Sequence, residues 1–397
     1  MHRLTTLLGL PQHRFASIHV VGTNGKSSAT RMTAALLEAH GRSVGACISP
    51  HPSRWAERVL IGREEIGTVE FGAAVERAAE AADVVNRTLR GGEAVTQFEL
   101  ATAAAFVALA AAGVEVAVIE AGLGGRLDAT NVIQSQITVL TSIGLDHTEW
   151  LGDTEMEIAA EKLAVLRDQS TLVLGRVPAA VGELAERTAR EHGAKVVVAP
   201  EDPGPEVRLL ASGPFQRRNF ALACAAAEAF LGALDSARVA AVGASLAIPG
   251  RLERIAKRPP VYIDVAHNVD GAVALAEALP EVAAGRPVVA CLAILGDKDA
   301  AGMIAALAPA LDRVVCSELP AEAVEKRGLP GACSHPAAEL ARACEAAGIA
   351  AEIEADLPAA IRRGRELAGM APDGILIVTG SHYLLEPARA ALRLCED

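Results

Sequence analysis

Residues 18–27 read Ile-His-Val-Val-Gly-Thr-Asn-Gly-Lys-Ser, and this stretch decides the fold of the first half of the chain. Its first four residues predict a buried strand, and the segment 28–40 that follows predicts a helix. A glycine turn between a strand and a helix lets backbone N–H groups approach phosphate oxygens at the positive end of the helix dipole. The stretch therefore predicts a phosphate-binding loop made of Gly22, Thr23, Asn24, Gly25, Lys26 and Ser27.

The loop departs from the strict pattern G-x-x-x-x-G-K-[ST], because Val20 stands where the first glycine would be. A plain glycine turn is the alternative interpretation, and the position of the loop after a buried strand favours phosphate binding. Lys26 is expected to reach the outer phosphates of ATP, and the Ser27 hydroxyl is expected to bind Mg²⁺.

The rest of the chain alternates short Val/Ile-rich runs with Ala/Glu/Arg-rich segments, which is typical of an α/β fold with a parallel sheet covered on both faces. Strands are predicted at 18–21, 43–48, 114–120, 137–141, 171–174, 195–198, 261–264, 288–294, 313–316, 350–354 and 375–379. Helices are predicted at 28–40, 68–90, 99–112, 155–166, 179–192, 271–279, 300–310, 336–347 and 358–369. Pro249 and Gly250 separate two series of elements, so we expect domains at 1–248 and 249–397.

Composition limits the function further. The net charge of -12 argues against a nucleic-acid partner. The most apolar stretch, 100–112, is shorter than the roughly 20 residues that span a bilayer, and no signal peptide is evident, so no membrane association is expected. The seven cysteines are odd in number and lack C-x-x-C spacing, which favours buried, reduced thiols. These features predict a cytoplasmic enzyme, and we expect a monomer.

Several more motifs follow the loop in order: Ser-Pro-His at 49–51, Glu-Arg-Val at 57–59, Glu-Ala-Gly-Leu-Gly-Gly-Arg-Leu-Asp-Ala-Thr-Asn at 120–131, and the segments 141–148, 161–162, 249–253, 264–268, 296–299 and 380–383. With them the chain resembles the folylpolyglutamate synthase/dihydrofolate synthase family of the Mur ligase superfamily. The resemblance implies an N-terminal P-loop ATPase-type domain and a smaller, Rossmann-like C-terminal domain.

The resemblance also implies a reaction in folate biosynthesis and one-carbon metabolism. ATP and Mg²⁺ would activate a dihydropteroate or folate carboxylate as an acyl phosphate, which the amine of L-glutamate would attack. Whether the chain is a dihydrofolate synthase, a folylpolyglutamate synthase or both stays open. Two alternatives are a Mur-type ligase for another carboxylate and an inactive ATP-binding homologue. Only 21 residues precede Gly22, so a preceding nucleotide-sugar domain is not expected.

The resemblance assigns roles to individual residues. The magnesium ligands would be Ser27, Ser49, Glu120, His147 and, if it is carbamylated, Lys162. Catalytic roles would fall to Lys26, His147, Lys162, Asp264, His267 and Ser381. ATP would be bound by the loop together with Asn219, Arg251 and Asp264. The pteroate-binding segments would be Thr96, Gln97, Phe98, Glu99, Leu127, Asp128 and Ala129.

Residue type alone leaves some of these assignments open. A lone histidine such as His147 is more often a loop or core residue, and the alternative for Lys162 is an ordinary helix-surface lysine. Asn219 is as compatible with a helix N-cap as with adenosine binding. Gln97 departs from the family, in which an aromatic or apolar residue is commoner at that position.

Overall fold

The computed structural model describes residues 1–51, 54–325, 333–370 and 373–393. The chain forms two compact units, one of Met1–Leu209 with Arg217–Leu246 and the other of Leu210–Gln216 with Ala247–Asp397. Each unit contains one β-sheet with helices packed against it, so the predicted α/β class is confirmed. No helix in the described ranges has both the length and the hydropathy that crossing a membrane requires.

The sheet of the first unit has the strand order β4-β3-β2-β5-β1-β6-β7-β8. Its strands are β1 (Ala16–Val21), β2 (Val44–Cys47), β3 (Val59–Ile61), β4 (Glu64–Glu65), β5 (Val116–Glu120), β6 (Ser135–Leu140), β7 (Thr171–Leu174) and β8 (Lys195–Val198). Six strands are parallel, but β3 and β4 pair antiparallel at one edge. The sheet is therefore mostly parallel, as predicted, and the sequence did not predict β3 and β4, which are only three and two residues long.

The helices of this part of the chain are α1 (His2–Leu7), α2 (Lys26–Ala39), α3 (Thr68–Asn86), α4 (Gln97–Ala111), α5 (Thr148–Leu151), α6 (Glu155–Leu163), α7 (Ala179–Glu191), α8 (Pro214–Leu231) and α9 (Ser236–Ser245). The sequence did not predict α1, α5, α8 or α9. α2 begins two residues earlier than predicted, which places Lys26 and Ser27 in its first turn. α4 is apolar on nearly every side and is largely buried.

The sheet of the second unit has the order β13-β12-β11-β14-β10-β9. Its strands are β9 (Glu253–Lys257), β10 (Pro260–Ile263), β11 (Val288–Leu292), β12 (Arg313–Cys316), β13 (Ala350–Ile353) and β14 (Ile375–Thr379). All pairs are parallel except β9 with β10, and β9 was not predicted. The helices are α10 (Val269–Ala283), α11 (Ala300–Leu307), α12 (Ala321–Glu325), α13 (Ala337–Ala346), α14 (Leu357–Met370) and α15 (Leu385–Arg393).

The cores are built mainly from Ala, Val, Leu and Ile, as the low aromatic content requires. The thiols of Cys47, Cys291, Cys316 and Cys344 are buried and unoxidised, which agrees with the cysteine prediction. Cys333 is exposed and Cys224 is only half-buried, so the prediction of burial fails at these two positions. Cys395 lies outside the described residues.

Candidate functional site

The phosphate loop connects β1 directly to α2. Gly25 stands immediately before the helix with φ +83°, a left-handed conformation that glycine adopts without strain. The Thr23 N–H donates to the Ser142 carbonyl (2.9 Å), and the Asn24 N–H donates to the Ser142 hydroxyl (3.0 Å). These bonds anchor the loop to the segment after β6, so its shape is fixed before any ligand arrives.

Lys26 bends back over the loop. Its Nζ donates to the carbonyls of Gly22 (3.0 Å) and Thr23 (2.9 Å). The side chain of Asn219, from α8, also lies over this loop, because a Cβ atom on Gly25 would stand 2.6 Å from the Asn219 Oδ1 atom. Asn219 is the sixth residue of α8, so the N-cap interpretation is wrong for it. A cationic ammonium and a carboxamide thus meet at the backbone turn that the sequence predicts for phosphate.

Three oxygen-bearing residues converge beside the loop. The Glu120 carboxylate accepts the Ser27 hydroxyl at Oε1 (2.9 Å) and the Ser49 N–H at Oε2 (2.9 Å). Glu120 is only 2% exposed, and it is the last residue of β5. β5 lies between β1, which leads to Ser27, and β2, which leads to Ser49. The carboxyl ends of adjacent parallel strands therefore bring Ser27, Ser49 and Glu120 together.

This donor set fits Mg²⁺, which prefers hard oxygen ligands and is usually held by one or two carboxylates together with substrate phosphates. In the described part of the chain, no three His, Cys, Asp or Glu side chains cluster closely enough to hold a metal by themselves. Glu120 would therefore need hydroxyl and phosphate oxygens to complete the ligand set. His147 follows β6 in a left-handed conformation (φ 52°), with its Nε2 3.8 Å from the Asp146 Oδ1 atom.

Lys162 is buried near the end of α6, so it is not the ordinary surface lysine that its sequence context allows. Burial, with a further contribution from the charge of Lys26, lowers the pKa of Lys162 from 10.5 to about 7. Asp146, Asp128 and Glu161 oppose this shift without cancelling it. An amine with such a pKa is substantially uncharged at neutral pH.

A small pocket adjoins these groups in the first unit. It is lined by Cys47, Ile48, Ser49, Arg58, Phe98, Ala101, Thr102, Glu120 and Thr130. Phe98 is thus the predicted pteroate residue that faces the pocket. Thr96 and Glu99 instead form a reciprocal capping box at the start of α4, and Gln97 is exposed on its first turn.

The segment 122–131 forms a tight loop after β5. The Asp128 carboxylate accepts the Leu123 N–H at Oδ2 (2.8 Å) and the Thr130 N–H at Oδ1 (2.9 Å). Gly125 packs against the backbone of α6, where a Cβ atom would stand 2.8 Å from the Lys162 carbonyl. Leu127 is 91% exposed, while Ala129 is buried. Of the three residues predicted here, only Leu127 has an exposed side chain.

The second unit brings its predicted residues to the carboxyl ends of β10 and β14. The buried Asp264 carboxylate accepts the N–H groups of Leu252 and Ala266, each at 2.8 Å. These bonds hold the turn that carries Arg251. Burial raises the pKa of Asp264, and the positive charge of Arg251 opposes this rise.

Ser381 and His267 lie at the neighbouring strand ends of this unit. The buried Ser381 hydroxyl accepts the Tyr383 N–H (3.2 Å), and the His267 ring lies 4.4 Å from the ring of His382. Because β10 and β14 are adjacent and parallel, both residues follow strands that end at the same edge. The predicted set Arg251, Asp264, His267 and Ser381 therefore belongs to one edge of one sheet.

Arg58 has no role that the sequence predicts. Its guanidinium lies 4.6 Å from the Trp55 ring centroid and 5.6 Å from that of Phe98, and its Nε donates to the His51 Nδ1 (2.9 Å). A cation over two aromatic faces is a favourable contact that also fixes the rings. His51, Trp55 and Arg58 belong to one short segment, whereas Phe98 comes from α4, so nothing in the sequence indicates that Arg58 and Phe98 meet.

Two domain families match the chain: the Mur ligase middle domain over residues 20–204 and the Mur ligase glutamate ligase domain over residues 250–382. Together with the phosphate loop, these matches define a carbon–nitrogen ligase of the Mur type. A dihydrofolate synthase/folylpolyglutamate synthase of Mycobacterium tuberculosis is 37% identical over an alignment of 353 positions, which covers 79% of this chain and 72% of that protein. The chain belongs to the dihydrofolate synthase/folylpolyglutamate synthase family.

Solved structures agree with this assignment. The Mycobacterium tuberculosis folylpolyglutamate synthase complexed with ADP superposes with a TM-score of 0.88 at 34% identity, covering 98% of this chain and 93% of that one. The Escherichia coli FolC in complex with DHPP and ADP gives 0.83 at 25% identity, covering 100% and 94%. The Yersinia pestis enzyme complexed with AMPPNP and Mn ion gives 0.82 at 27% identity, covering 98% and 92%. The predicted family and fold are thereby confirmed.

The lowered pKa of Lys162 predicts a pH-dependent stability of the ligand-free chain. Between pH 7 and 10.5 the unfolded chain keeps a proton on this lysine that the folded chain has lost, so the free energy of unfolding rises with pH across that window. The rise should be on the order of a few kcal/mol. Both tryptophans, Trp55 and Trp150, lie in the first unit, so their fluorescence follows its thermal unfolding.

The comparison is between wild type and Lys162→Met in CO₂-free buffer, which keeps the amine unmodified. In Lys162→Met, the free energy of unfolding should no longer show the rise with pH that Lys162 causes. Lys195→Met, at an exposed strand position, should show the same rise as wild type. Parallel pH profiles for wild type and Lys162→Met would show that Lys162 titrates normally.

Proposed function

We propose that this chain adds L-glutamate to the carboxylate of dihydropteroate or of a folate, with ATP and Mg²⁺. One observation carries the proposal in a chain of this family. The phosphate loop with Lys26 meets the buried Glu120 carboxylate, which is bonded to the loop residue Ser27, at one sheet edge. The edge lies beside a pocket lined by Phe98. The neighbours that bind ADP, AMPPNP, Mn and DHPP support the same ligand classes here.

The chemistry needs ATP because an amine does not displace oxide from a carboxylate. An oxygen of the acceptor carboxylate attacks the γ-phosphorus of ATP, the bond to the bridging oxygen breaks, and ADP leaves. The amine of glutamate then attacks the acyl phosphate, and phosphate leaves as the amide forms. The chain contributes chiefly by positioning the reactants and by placing positive charge around the phosphates.

The first unit supplies most of the phosphate contacts. Lys26 turns from the loop carbonyls to the outer phosphates, and the loop N–H groups bind phosphate oxygens. Ser27 and Glu120 would hold Mg²⁺, and Ser49 and His147 would complete its surroundings. When bound, this ion neutralises negative charge on the phosphates. Asn219 contacts the adenosine.

Lys162 is proposed to be carbamylated. A carbamate forms when the uncharged amine attacks CO₂, and the low pKa of Lys162 makes that form abundant at neutral pH. With the release of a proton, the product is an anion that suits a second Mg²⁺ and attracts Lys26, whereas a protonated Lys162 would repel it. In a crystal grown with ATP and Mg²⁺, electron density should continue beyond Nζ, and density that stops at a bare amine would contradict the proposal.

The remaining roles concern the two organic substrates. Phe98 and the loop carrying Leu127 provide the apolar contacts of the pteroate acceptor, with Thr96, Gln97, Glu99, Asp128 and Ala129 shaping that site. In the second unit, Arg251 and Asp264 contact ATP, while His267 and Ser381 serve the incoming glutamate. We further propose that the enzyme works as a cytoplasmic monomer and that it does not act on nucleic acid.

The substrate proposal predicts phosphate release that depends on a folate-type acceptor. Purified chain with ATP, Mg²⁺ and L-glutamate should release phosphate with 7,8-dihydropteroate, with tetrahydrofolate or with both, and the pattern identifies the activity. Lys26→Ala should reduce turnover at least a hundredfold, because charge stabilisation at the transferred phosphoryl group is lost. Lys195→Ala, which removes an exposed lysine, should retain the wild-type turnover.

Circular dichroism should show an intact fold for both variants. If neither acceptor supports phosphate release, the folate assignment is wrong. If Lys26→Ala turns over near the wild-type rate, the phosphate site has been misplaced.

A further inference from the structure

His19 lies in the middle of β1 and has no role in the function proposed above. Its side chain is 0% exposed, so it cannot touch a substrate. Its Nε2 atom lies 2.8 Å from the Thr130 hydroxyl, which belongs to a segment more than a hundred residues later in the chain. Thr130 also lines the pocket beside Glu120. A buried imidazole thus stands directly behind one wall of the acceptor pocket.

The hydrogen-bonding directions in this cluster are fixed by its chemistry. Burial, assisted by the charge of Arg167, lowers the pKa of His19 to about 3, so the ring is neutral. The Thr130 hydroxyl donates its single proton to the Asp128 carboxylate. The Nε2 atom of His19 must therefore carry the ring proton and donate it to Thr130.

This arrangement leaves the other ring nitrogen, Nδ1, as a buried acceptor to which no group in the described ranges donates. An unsatisfied buried acceptor destabilises the fold, and an apolar side chain in the same strand position would avoid that cost. The bond that Nε2 donates to Thr130 therefore explains why a histidine occupies this position. The effect of this bond on the structure depends on which segment Thr130 and Asp128 hold in place.

Thr130 and Asp128 hold the turn 123–128, in which Leu123, Arg126 and Leu127 are exposed. The Asp128 carboxylate accepts the N–H groups of Leu123 (2.8 Å) and Thr130 (2.9 Å), and it therefore bridges both ends of the turn. Between these ends the chain presents Leu127, whose side chain is almost wholly exposed. The direction of the Leu127 side chain depends on the orientation of the Asp128 carboxylate. Thr130 orients that carboxylate, and His19 orients Thr130.

We propose that His19 is a positioning residue for the acceptor site, acting through Thr130 and Asp128 to fix the turn that presents Leu127 to the pteroate substrate. The proposal rests on the proposed function for the identity of that substrate. Because β1 also leads into the phosphate loop, one strand would set the position of both the nucleotide loop and the acceptor turn.

The first test follows the turn itself and needs no substrate. His19→Leu removes the donor, whereas His19→Gln places an amide Nε2 the same number of bonds from Cα. In amide hydrogen exchange on the full chain, the Leu123 and Thr130 amides of His19→Leu should exchange at least tenfold faster than in wild type. His19→Gln should restore protection to within about twofold, and the amides of β1 should remain protected in both variants.

The second test is kinetic. His19→Leu should raise the KM for the pteroate acceptor about tenfold, and it should leave kcat and the KM for ATP within about twofold of wild type. Thr130→Val, which keeps the side-chain shape and removes both hydroxyl bonds, should reproduce the faster amide exchange; its KM is not compared, because Thr130 itself lines the pocket. The Leu123 amide of the double variant should exchange no faster than that of the faster single variant, because the residues act in one chain of bonds. If His19→Leu does not fold, Thr130→Val carries the exchange test.

Unchanged exchange at Leu123 and Thr130 would overturn the proposal, and so would an unchanged KM for the acceptor. Faster exchange across β1 and the turn together, not rescued by His19→Gln, would show that His19 serves general stability only. If wild type uses no folate acceptor, the proposed function fails, whereas the exchange measurement still decides whether His19 positions the turn.

Discussion

A buried carboxylate, that of Glu120, constrains the architecture of the first unit. It accepts the Ser27 hydroxyl and the Ser49 N–H, and these two residues follow β1 and β2. An ionised carboxylate withdrawn from water without partners would cost several kcal/mol, so the three strand ends must stay together. The same requirement keeps the phosphate loop beside the carboxylate, which is what ATP and Mg²⁺ require.

β5 contributes to both sides of the proposed reaction. Its last residue is Glu120, and the next residues form the loop 122–131, which packs on α6 beside Lys162. The loop is closed by Asp128, whose two oxygens are already taken by loop N–H groups. Asp128 therefore fixes the backbone of this loop, and Leu123, Arg126 and Leu127 are the residues that the loop exposes.

The sequence was sufficient for most of the fold, because buried parallel strands and their intervening helices leave strong apolar patterns. It predicted the phosphate loop and the three strand ends that meet at Glu120. It did not predict β4, which has only two glutamates, or β9, which is half polar and pairs antiparallel. It also missed α8, although Asn219 on that helix was among the predicted site residues.

The candidate site likewise has features that the sequence could predict and features that it could not. Residues within contiguous motifs could be predicted, whereas contacts between distant segments could not. Arg58 over Phe98 and His19 against Thr130 each join parts of the chain that carry no shared pattern. The burial of Lys162, which lowers its pKa, likewise depends on how the 122–131 loop covers α6. Such features follow from tertiary packing, and local sequence contains no signal for them.

The central claim is that ATP activates the acceptor carboxylate as an acyl phosphate, and isotope transfer tests it most directly. The acceptor is prepared with ¹⁸O in its reacting carboxylate and is incubated with ATP, Mg²⁺ and L-glutamate. Mass spectrometry of the released phosphate should show one ¹⁸O atom for each amide formed, because the bridging oxygen leaves with phosphorus. Amide formation accompanied by unlabelled phosphate would contradict the account.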